Sequence, residues 1–239
     1  MNKERLIMAL DLPDYKSALD FVTDVGDTIL FYKIGLELLM TDKYFTLMED
    51  LHDFGKKVFA DIKFFDIPET VGRSVSNLSK HEPEFITVHS GSQAILESAV
   101  KNKGNSKILA VTVLTSITRE DHYFDGFRAS WIVEDEVVAR AVTALAAGCD
   151  GVVASPLEVE ILRKEIGQEF IIVCPGIRNN AAISQGNTQD QKRVATVESA
   201  FKSGADYIVV GRPIRDAISS RDAAQEFQDQ IEQVFSKVS

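Results

Sequence analysis

Residues 57–79 read KVFADIKFFDIPETVGRSVSNLS and contain one complete unit of the repeat that decides the fold. Residues 57–63 are rich in Val, Ile and Phe and lack regular polar alternation, which is typical of a strand buried on both faces. A helix is predicted at residues 69–79, and Pro68 stands just before it, where proline is tolerated. The stretch therefore predicts a β-strand, a short loop and an α-helix.

The same alternation of strand and helix recurs eight times along the 239 residues. Strands are predicted at residues 6–11, 29–35, 57–63, 85–89, 108–114, 151–154, 170–174 and 207–210. Helices are predicted at residues 14–23, 43–54, 69–79, 92–101, 134–147, 157–166, 197–203 and 221–238. Eight repeats in a chain of this length favour an α/β fold made of a single (β/α)8 TIM barrel over residues 1–239. The alternative is an open doubly wound sheet, but no GxGxxG motif follows the first strand.

The amino-acid composition limits which molecules this protein is expected to bind. The formal net charge of −10 repels polyanions, so we expect no nucleic-acid partner and no anionic membrane partner. No window approaches 18 uncharged apolar residues, and no His or Cys cluster has the spacing of a metal site. Two cysteines outside any CxxC motif suit a reducing compartment, and we expect a cytoplasmic protein without a bound metal.

Charged residues fall where the predicted strands end. Asp11 closes the first strand, Lys33 lies within the second, and Asp61 and Lys63 lie in the third. Asp61 and Lys63 are two residues apart and therefore share a strand face. An unpaired charge buried in an apolar run destabilises the fold by about several kcal/mol. We therefore expect these four residues to pair with one another at one barrel mouth. The alternative interpretation is a purely structural ion network.

Two further strand ends suggest an anion site. PGIR at residues 175–178 follows the seventh strand, and VVGRPI at residues 209–214 spans the end of the eighth. Loops after strands 7 and 8 commonly bind phosphate in this fold. The alternative interpretation is a tight turn with a surface arginine, which would have the same sequence pattern. His89 is interpreted as a hydrogen-bonded wall residue, and Phe64, Phe65 and Trp131 as packing residues. Residues 116–133 and 178–196 are predicted to be long loops, the second a mobile lid.

At this point the motifs identify a family. The run DIKFFDIPET at residues 61–70 resembles the DxKxxDIPxT signature of orotidine 5′-phosphate decarboxylases. Other similar motifs follow in order: ALD (9–11), YKIG (32–35), VTVLTS (111–116), PGIR (175–178), DQKR (190–193) and VVGRPI (209–214). The polar stretch between Arg178 and Gln191 is longer than in many bacterial members of the family.

The resemblance implies a homodimeric barrel that converts orotidine 5′-monophosphate to UMP and carbon dioxide without metal or organic cofactor. It implies that Lys63 stabilises and protonates the carbanion at C6, with Asp61 beside the substrate carboxylate and Asp66 and Lys33 completing the catalytic set. The remaining implied roles are ribose contacts from Asp11 and Lys33, residues donated across the dimer interface (Asp66 and Thr70), a pyrimidine contact from Thr115, and a lid contact from Gln191. The resemblance also implies phosphate contacts from Arg178, Gly211 and Arg212, with Ile67 and Pro175 as further substrate-binding residues.

Two other functions remain open. Phosphosugar decarboxylases and aldolase-like relatives share DxKxxD and use Mg²⁺ at acidic residues. A nucleotide-binding barrel without catalysis is the second alternative, although binding alone does not require the set of Lys33, Asp61, Lys63 and Asp66.

Overall fold

Eight parallel strands pair in sequence order and close into a barrel, in which β1 pairs with both β2 and β8. The protein is represented by a computed structural model that describes residues 2–116, 132–178 and 193–236. The strands are β1 Leu6–Ala9, β2 Phe31–Gly35, β3 Lys57–Phe64, β4 Phe85–His89, β5 Lys107–Val111, β6 Gly151–Val153, β7 Ile171–Cys174 and β8 Tyr207–Val210. The predicted (β/α)8 barrel is confirmed.

Helices follow the strands and cover the outside of the barrel. In the described residues they are α1 Tyr15–Val25, α2 Leu36–Leu39, α3 Tyr44–Asp53, α4 Pro68–Leu78, α5 Gln93–Lys101, α6 Val133–Ala146, α7 Val159–Ile166, α8 Val197–Lys202, α9 Arg212–Arg215 and α10 Ser220–Ser236. α4 shows how they pack, because Val71, Val75 and Leu78 recur at helical spacing and are buried. None of the helices in these ranges combines the length and the apolarity needed to cross a membrane.

Aromatic side chains fill the barrel interior below the site. Phe31, Phe59 and Phe85 are buried, and the Phe31 and Phe85 rings lie 5.2 Å apart between centroids. Burial of one such side chain stabilises the fold by about 1.5–3 kcal/mol. Since Phe59 belongs to this inner cluster, strand alternation turns Asp61 and Lys63 toward the same interior, nearer the carboxyl end of β3.

Several predicted element ends are wrong by two or three residues. The first strand ends at Ala9 instead of residue 11, the second begins at Phe31 instead of residue 29, and the fifth ends at Val111 instead of residue 114. The apolar run continues past the last ladder pair, as buried Val113 shows, so hydrophobicity alone misplaces the ends. Thr115 and Ser116 consequently lie in the loop after β5 and not at the strand end.

The helices differ in smaller ways. A 3₁₀ helix, Pro156–Glu158, occupies the start of the predicted helix 157–166, and the short helices α2 and α9 are not among the eight predicted helices. The other boundaries agree within about two residues. The two predicted long loops, together with Trp131 and Gln191, lie wholly or mostly outside the described residues, since 117–131 and 179–192 are not described.

Candidate active site

A cavity of about 570 Å³ opens at the carboxyl ends of the strands. This is the end at which barrels of this type carry their active sites. Nine of the thirteen predicted site residues line it: Asp11, Lys33, Asp61, Lys63, Thr115, Pro175, Arg178, Gly211 and Arg212. These nine residues come from six of the eight strands or from the loops that follow them.

An ion network forms one side of this cavity. Asp61 Oδ1 lies 2.8 Å from Lys63 Nζ, and Asp61 Oδ2 lies 3.3 Å from Lys33 Nζ. Lys33 Nζ also lies 3.0 Å from Asp11 Oδ1. The prediction that these four charges meet at one mouth is confirmed. Asp61 is the buried centre of the network, whereas Lys63 remains about one-third exposed toward the cavity.

Thr87 on β4 fixes both Asp61 and Lys63. Its hydroxyl donates to Asp61 Oδ1 at 3.0 Å and accepts from the Lys63 amide at 2.9 Å. The β3–β4 register shifts between Ala60 and Phe64, and Lys63 lies in this bulge with φ of 55°. A left-handed conformation at a residue with a side chain costs about 1–3 kcal/mol and is found mainly at functional sites. The bulge turns β3 so that the Lys63 amide reaches Thr87.

The network sets the charge states of its buried members. Burial alone would raise the pKa of Asp61, but Lys33, Lys63 and the hydrogen bond from Thr87 hold it below the ordinary value. Burial would likewise lower the pKa of Lys33, but Asp61 and Asp11 raise it above the ordinary value. Each ion therefore keeps its partner charged, as expected for close opposite charges.

Another part of the cavity wall carries groups suited to an anion. Arg178 is buried near the start of the loop after β7, and Gly211 and Arg212 begin the segment after β8. A Cβ at Gly211 would lie 3.4 Å from Ala9 Cβ, so glycine leaves room for the close backbone packing there. Arginine pairs and open backbone amides are typical ligands of phosphate.

Three predicted site residues do not line the cavity of their own chain. Asp66 and Ile67 are exposed on the loop before α4, and Thr70 is partly buried in its first turn. Asp66 Oδ1 accepts from the Ile67 amide at 2.6 Å, and the ion pair of Lys63 within the described residues is with Asp61 and not with Asp66. Gln191, the fourth, lies outside the described residues.

The predictions made for two residues beside the site, Phe65 and His89, need correction. Phe65 is 66% exposed, although its ring lies 5.1 Å from that of His89, because it sits on the loop that leaves the barrel. His89 Nδ1 is buried without a hydrogen-bond partner among the described residues, so His89 is not the hydrogen-bonded wall residue that was predicted. Burial, with Arg140 nearby, lowers the pKa of His89. Phe64 packs against the core as predicted.

Sequence reasoning missed several groups of the site. Thr87 reads as an ordinary strand residue, since threonine favours strands. Arg215 lines the cavity and donates to the Asp11 carbonyl at 2.7 Å, and its spacing of three from Arg212 was the available signal. Gly35 lies where a Cβ would come within 3.4 Å of Lys33 Nζ. Within residues 2–116, 132–178 and 193–236, no three His, Cys, Asp or Glu side chains are grouped to hold a metal ion.

Known proteins resemble the whole barrel. The profile of the "Orotidine 5′-phosphate decarboxylase / HUMPS family" matches residues 4–227. The orotidine 5′-phosphate decarboxylase of Methylococcus capsulatus is 54% identical over 232 residues, which cover 97% of this chain and 93% of that protein. The protein of the same name from Xylella fastidiosa is 45% identical over 230 residues, 96% of this chain and 92% of the other. The crystal structure of orotidine 5′-phosphate decarboxylase from Lactobacillus acidophilus superimposes with a TM-score of 0.81 at 32% identity, covering 95% of this chain and 99% of that one.

Proposed function

Since the chain belongs to the orotidine 5′-phosphate decarboxylase / HUMPS family, we propose that its cavity removes carbon dioxide from orotidine 5′-monophosphate through the ammonium group of Lys63. The activity is the one for which the curated relatives are named, a decarboxylation of pyrimidine biosynthesis. The observation that carries the proposed mechanism is the network in which Asp61 holds Lys63 at 2.8 Å and Lys33 at 3.3 Å at the cavity wall.

The cavity wall suggests how the substrate lies. Arg178, Gly211 and Arg212 would bind the phosphate, because they supply two guanidinium groups and a close backbone. Asp11 and Lys33 would contact the ribose, while Thr115 and Pro175 would contact the pyrimidine. This orientation directs the carboxylate at C6 toward Asp61 and Lys63. Gln191 is proposed as a further contact that bridges base and phosphate.

Lys63 supplies the chemistry in this proposal. When the bond from C6 to the carboxylate breaks, carbon dioxide leaves and the electron pair stays on C6. A fixed ammonium beside C6 stabilises that pair only as the charge develops, and this lowers the barrier. Lys63 then donates its proton to C6, which completes UMP, and recovers a proton from solvent.

Asp61 has two roles in the proposed mechanism. It places a negative charge beside the Lys63 ammonium and fixes the position of that group through the 2.8 Å contact. As a carboxylate beside the substrate carboxylate it also raises the energy of the bound ground state. Two like charges about 4 Å apart repel by about 4 kcal/mol at an effective dielectric constant near 20.

We extend the proposal to a homodimer with shared sites. Asp66, Ile67 and Thr70 lie on one segment that leaves its own cavity, and they would reach the cavity of a second copy. Phe65 and Ile67 are about two-thirds exposed there, which suits an apolar contact between copies. Asp66 would then face Lys63 of the other subunit and complete the acidic surroundings of the ammonium.

The proposed reaction needs neither metal nor organic cofactor. Asp11 and Asp61, the carboxylates of the cavity wall, already face lysine ammonium groups and not one another. The net charge of −10 supports a protein without nucleic-acid or anionic-membrane partners. The free, buried Cys149 and Cys174 suit the reducing cytoplasm, where residues 1–239 would act as one catalytic barrel.

An ultraviolet absorbance assay of orotidine 5′-monophosphate loss, run with and without EDTA, tests this function. We expect rapid turnover that the chelator leaves unchanged. Loss of activity with EDTA, restored by Mg²⁺, would contradict the metal-free mechanism and favour the phosphosugar relatives. UMP binding without any turnover of orotidine 5′-monophosphate would instead indicate a nucleotide-binding protein.

A further inference from the structure

Arg193 and Glu158 form a buried ion pair directly behind the cavity wall. Arg193 Nη1 donates to Glu158 Oε1, and the Glu158 side chain is only 2% exposed. Glu158 ends the 3₁₀ helix after β6, and neither residue is part of the cavity lining. A buried charge pair of this kind seldom stabilises a fold better than apolar packing, so its position invites a functional explanation.

The second terminal nitrogen of Arg193 holds the loop after β5. Nη2 donates to the carbonyls of Val113 at 3.0 Å and Leu114 at 3.1 Å. These two residues lie beyond the last ladder pair of β5 and immediately before Thr115. Arg140 holds the preceding carbonyl, that of Thr112, at 2.7 Å. Thr112 is still bonded to β6, because its amide donates to the Val153 carbonyl at 3.2 Å, whereas the carbonyls of Val113 and Leu114 are held by the Arg193 side chain.

The same guanidinium also belongs to the loop that carries Arg178. Ala195, two residues after Arg193, accepts from the Arg178 amide at 2.9 Å and donates to the Gly176 carbonyl at 3.2 Å. One side chain thus connects the loops after β5, β6 and β7. A shift of Arg193 would move the wall at Thr115 relative to the wall at Arg178.

We infer that Arg193 is a positioning residue that sets Thr115 against the pyrimidine of the substrate, and that Glu158 holds its guanidinium in place. The inference rests on the proposed function, because it takes Thr115 as the base contact and Arg178 as a phosphate contact. It concerns a residue that touches neither the substrate nor the reacting atoms.

The charge state of Glu158 gives this role a pH dependence. Burial raises the pKa of Glu158 to about 7, against the opposing effects of Arg193 and the Ser155 amide, while Glu134 of α6 adds to the rise. Cys174 of β7 also faces this group, and its own pKa is raised by burial and by Glu158. Ionised Glu158 holds the guanidinium as an ion pair, whereas protonated Glu158 leaves a weaker neutral contact.

Stability and positioning should therefore respond to pH in opposite directions. Because the pKa of Glu158 is raised on folding, its contribution to stability is full below its ordinary pKa of 4.5 and is lost as the pH rises through about 7. Positioning of Arg193 improves over the same rise. We expect wild-type kcat/KM, divided by that of Glu158→Gln, to increase from pH 6 to pH 8 while the relative thermal stability of the wild type decreases. The ratio cancels titration of the substrate phosphate, whose second pKa lies at about 6.

Binding of UMP and of ribose 5-phosphate to Arg193→Met, measured by calorimetry, tests the positioning itself. We expect the affinity for UMP and kcat/KM to fall about tenfold to a hundredfold, as small misplacements of binding groups do. The affinity for ribose 5-phosphate should change less than about twofold, since that ligand lacks the base that Thr115 would contact.

Arg163→Met is the matched control. Arg163 is also buried, pairs with Asp206 and donates to the carbonyls of Gly204 and Phe170, but at the amino ends of β7 and β8. The Arg163→Met variant should have a lower thermal stability than the wild type but the same ratio of UMP affinity to ribose 5-phosphate affinity.

Three results would overturn the inference: an unchanged UMP affinity in Arg193→Met, an equal change in Arg163→Met, or a flat pH ratio for Glu158→Gln. If Arg193→Met does not fold, the pH ratio decides. If the wild type binds UMP but does not decarboxylate orotidine 5′-monophosphate, the proposed function fails while the ligand affinities still decide the role of Arg193.

Discussion

Asp61 accepts from Lys63 and Thr87 with one oxygen and faces Lys33 with the other. A carboxylate in this position is buried, and two ammonium groups offset the cost of burying it. Removal of the carboxylate would leave Lys33 largely buried without its main partner. The Asp61 carboxylate therefore affects both the free energy of unfolding and the net charge of the site.

The pKa of Asp61 gives a test with a definite sign. Since its pKa is lowered on folding, Asp61 contributes stability above its ordinary value of 3.8 and loses it as the pH falls through the lower folded value. We expect Asp61→Asn to unfold more easily than the wild type at pH 7, by about 3 kcal/mol. The difference, measured by urea denaturation, should shrink below pH 4. A difference that stays constant from pH 7 to pH 3 would contradict the ionised network.

Thr87 allows a second test at this scale. Thr87→Val keeps the shape of the side chain but removes the hydroxyl that joins Asp61 to the Lys63 amide. We expect kcat/KM to fall about tenfold and stability to fall by about 1–3 kcal/mol, the cost of unsatisfied buried partners. Thr87→Ser retains the hydroxyl and should recover most of the activity. Equal activity of the Val and Ser variants would show that the hydroxyl does not matter.

Single residues also mark the limit of prediction from the sequence. Lys33, Asp61 and Lys63 could be predicted because a charge within an apolar run is costly unless something uses it. Thr87 could not, since a threonine in a strand carries no such penalty. Arg193 and Glu158 could not either, because their pairing depends on how three loops meet in space.

At the scale of elements, the number, type and order of the strands could be predicted, whereas several of their ends could not. Apolar periodicity reports burial, and burial continues past the hydrogen-bonded ladder, as at Val113 after β5. The local sequence around Lys63 likewise does not indicate the bulge that gives this residue its positive φ. The bulge arises from the pairing of β3 with β4, which a single strand sequence does not contain.

Close packing between β6 and β7 gives a prediction about the barrel itself. A Cβ at Gly151 would lie 2.3 Å from the Ile171 carbonyl oxygen, a backbone atom that cannot move without disturbing the ladder. We expect Gly151→Ala to lower the free energy of unfolding by about 1–3 kcal/mol in chemical denaturation.

Gly72→Ala is the control for this substitution, because the Cβ there would meet the movable Ser98 hydroxyl and the Asn102 side chain first. Gly72 also lies inside α4, where alanine is the better helix former, so its stability should change by less than about 1 kcal/mol. If the two variants lost equal stability, the close approach of β6 and β7 would not be limiting.

At the scale of the whole molecule, an acidic protein presents a cavity whose wall carries five cationic side chains. These are Lys33, Lys63, Arg178, Arg212 and Arg215. Local cations of this kind are what an anionic substrate needs in order to bind against a repulsive overall charge. The molecule as proposed is a dimer, because Asp66 leaves its own cavity.

Mixing two inactive variants tests the shared site. A dimer of one Lys63→Ala subunit and one Asp66→Ala subunit contains one site in which both residues are intact. Random exchange of equal amounts should restore about one quarter of wild-type activity, since half of the symmetric dimers become mixed and one of their two sites is complete. Confirmed subunit exchange without recovery would contradict the proposal that Asp66 crosses the dimer interface.

The most direct test of the account is the turnover of orotidine 5′-monophosphate by Lys63→Ala, with UMP affinity measured on the same sample. Because Lys63 is proposed both to stabilise the carbanion and to protonate it, we predict that kcat falls by about 10⁴-fold or more. UMP should still bind, since the phosphate and base contacts remain. A Lys63→Ala variant that keeps kcat within about tenfold of the wild type would contradict the central role of this ammonium group.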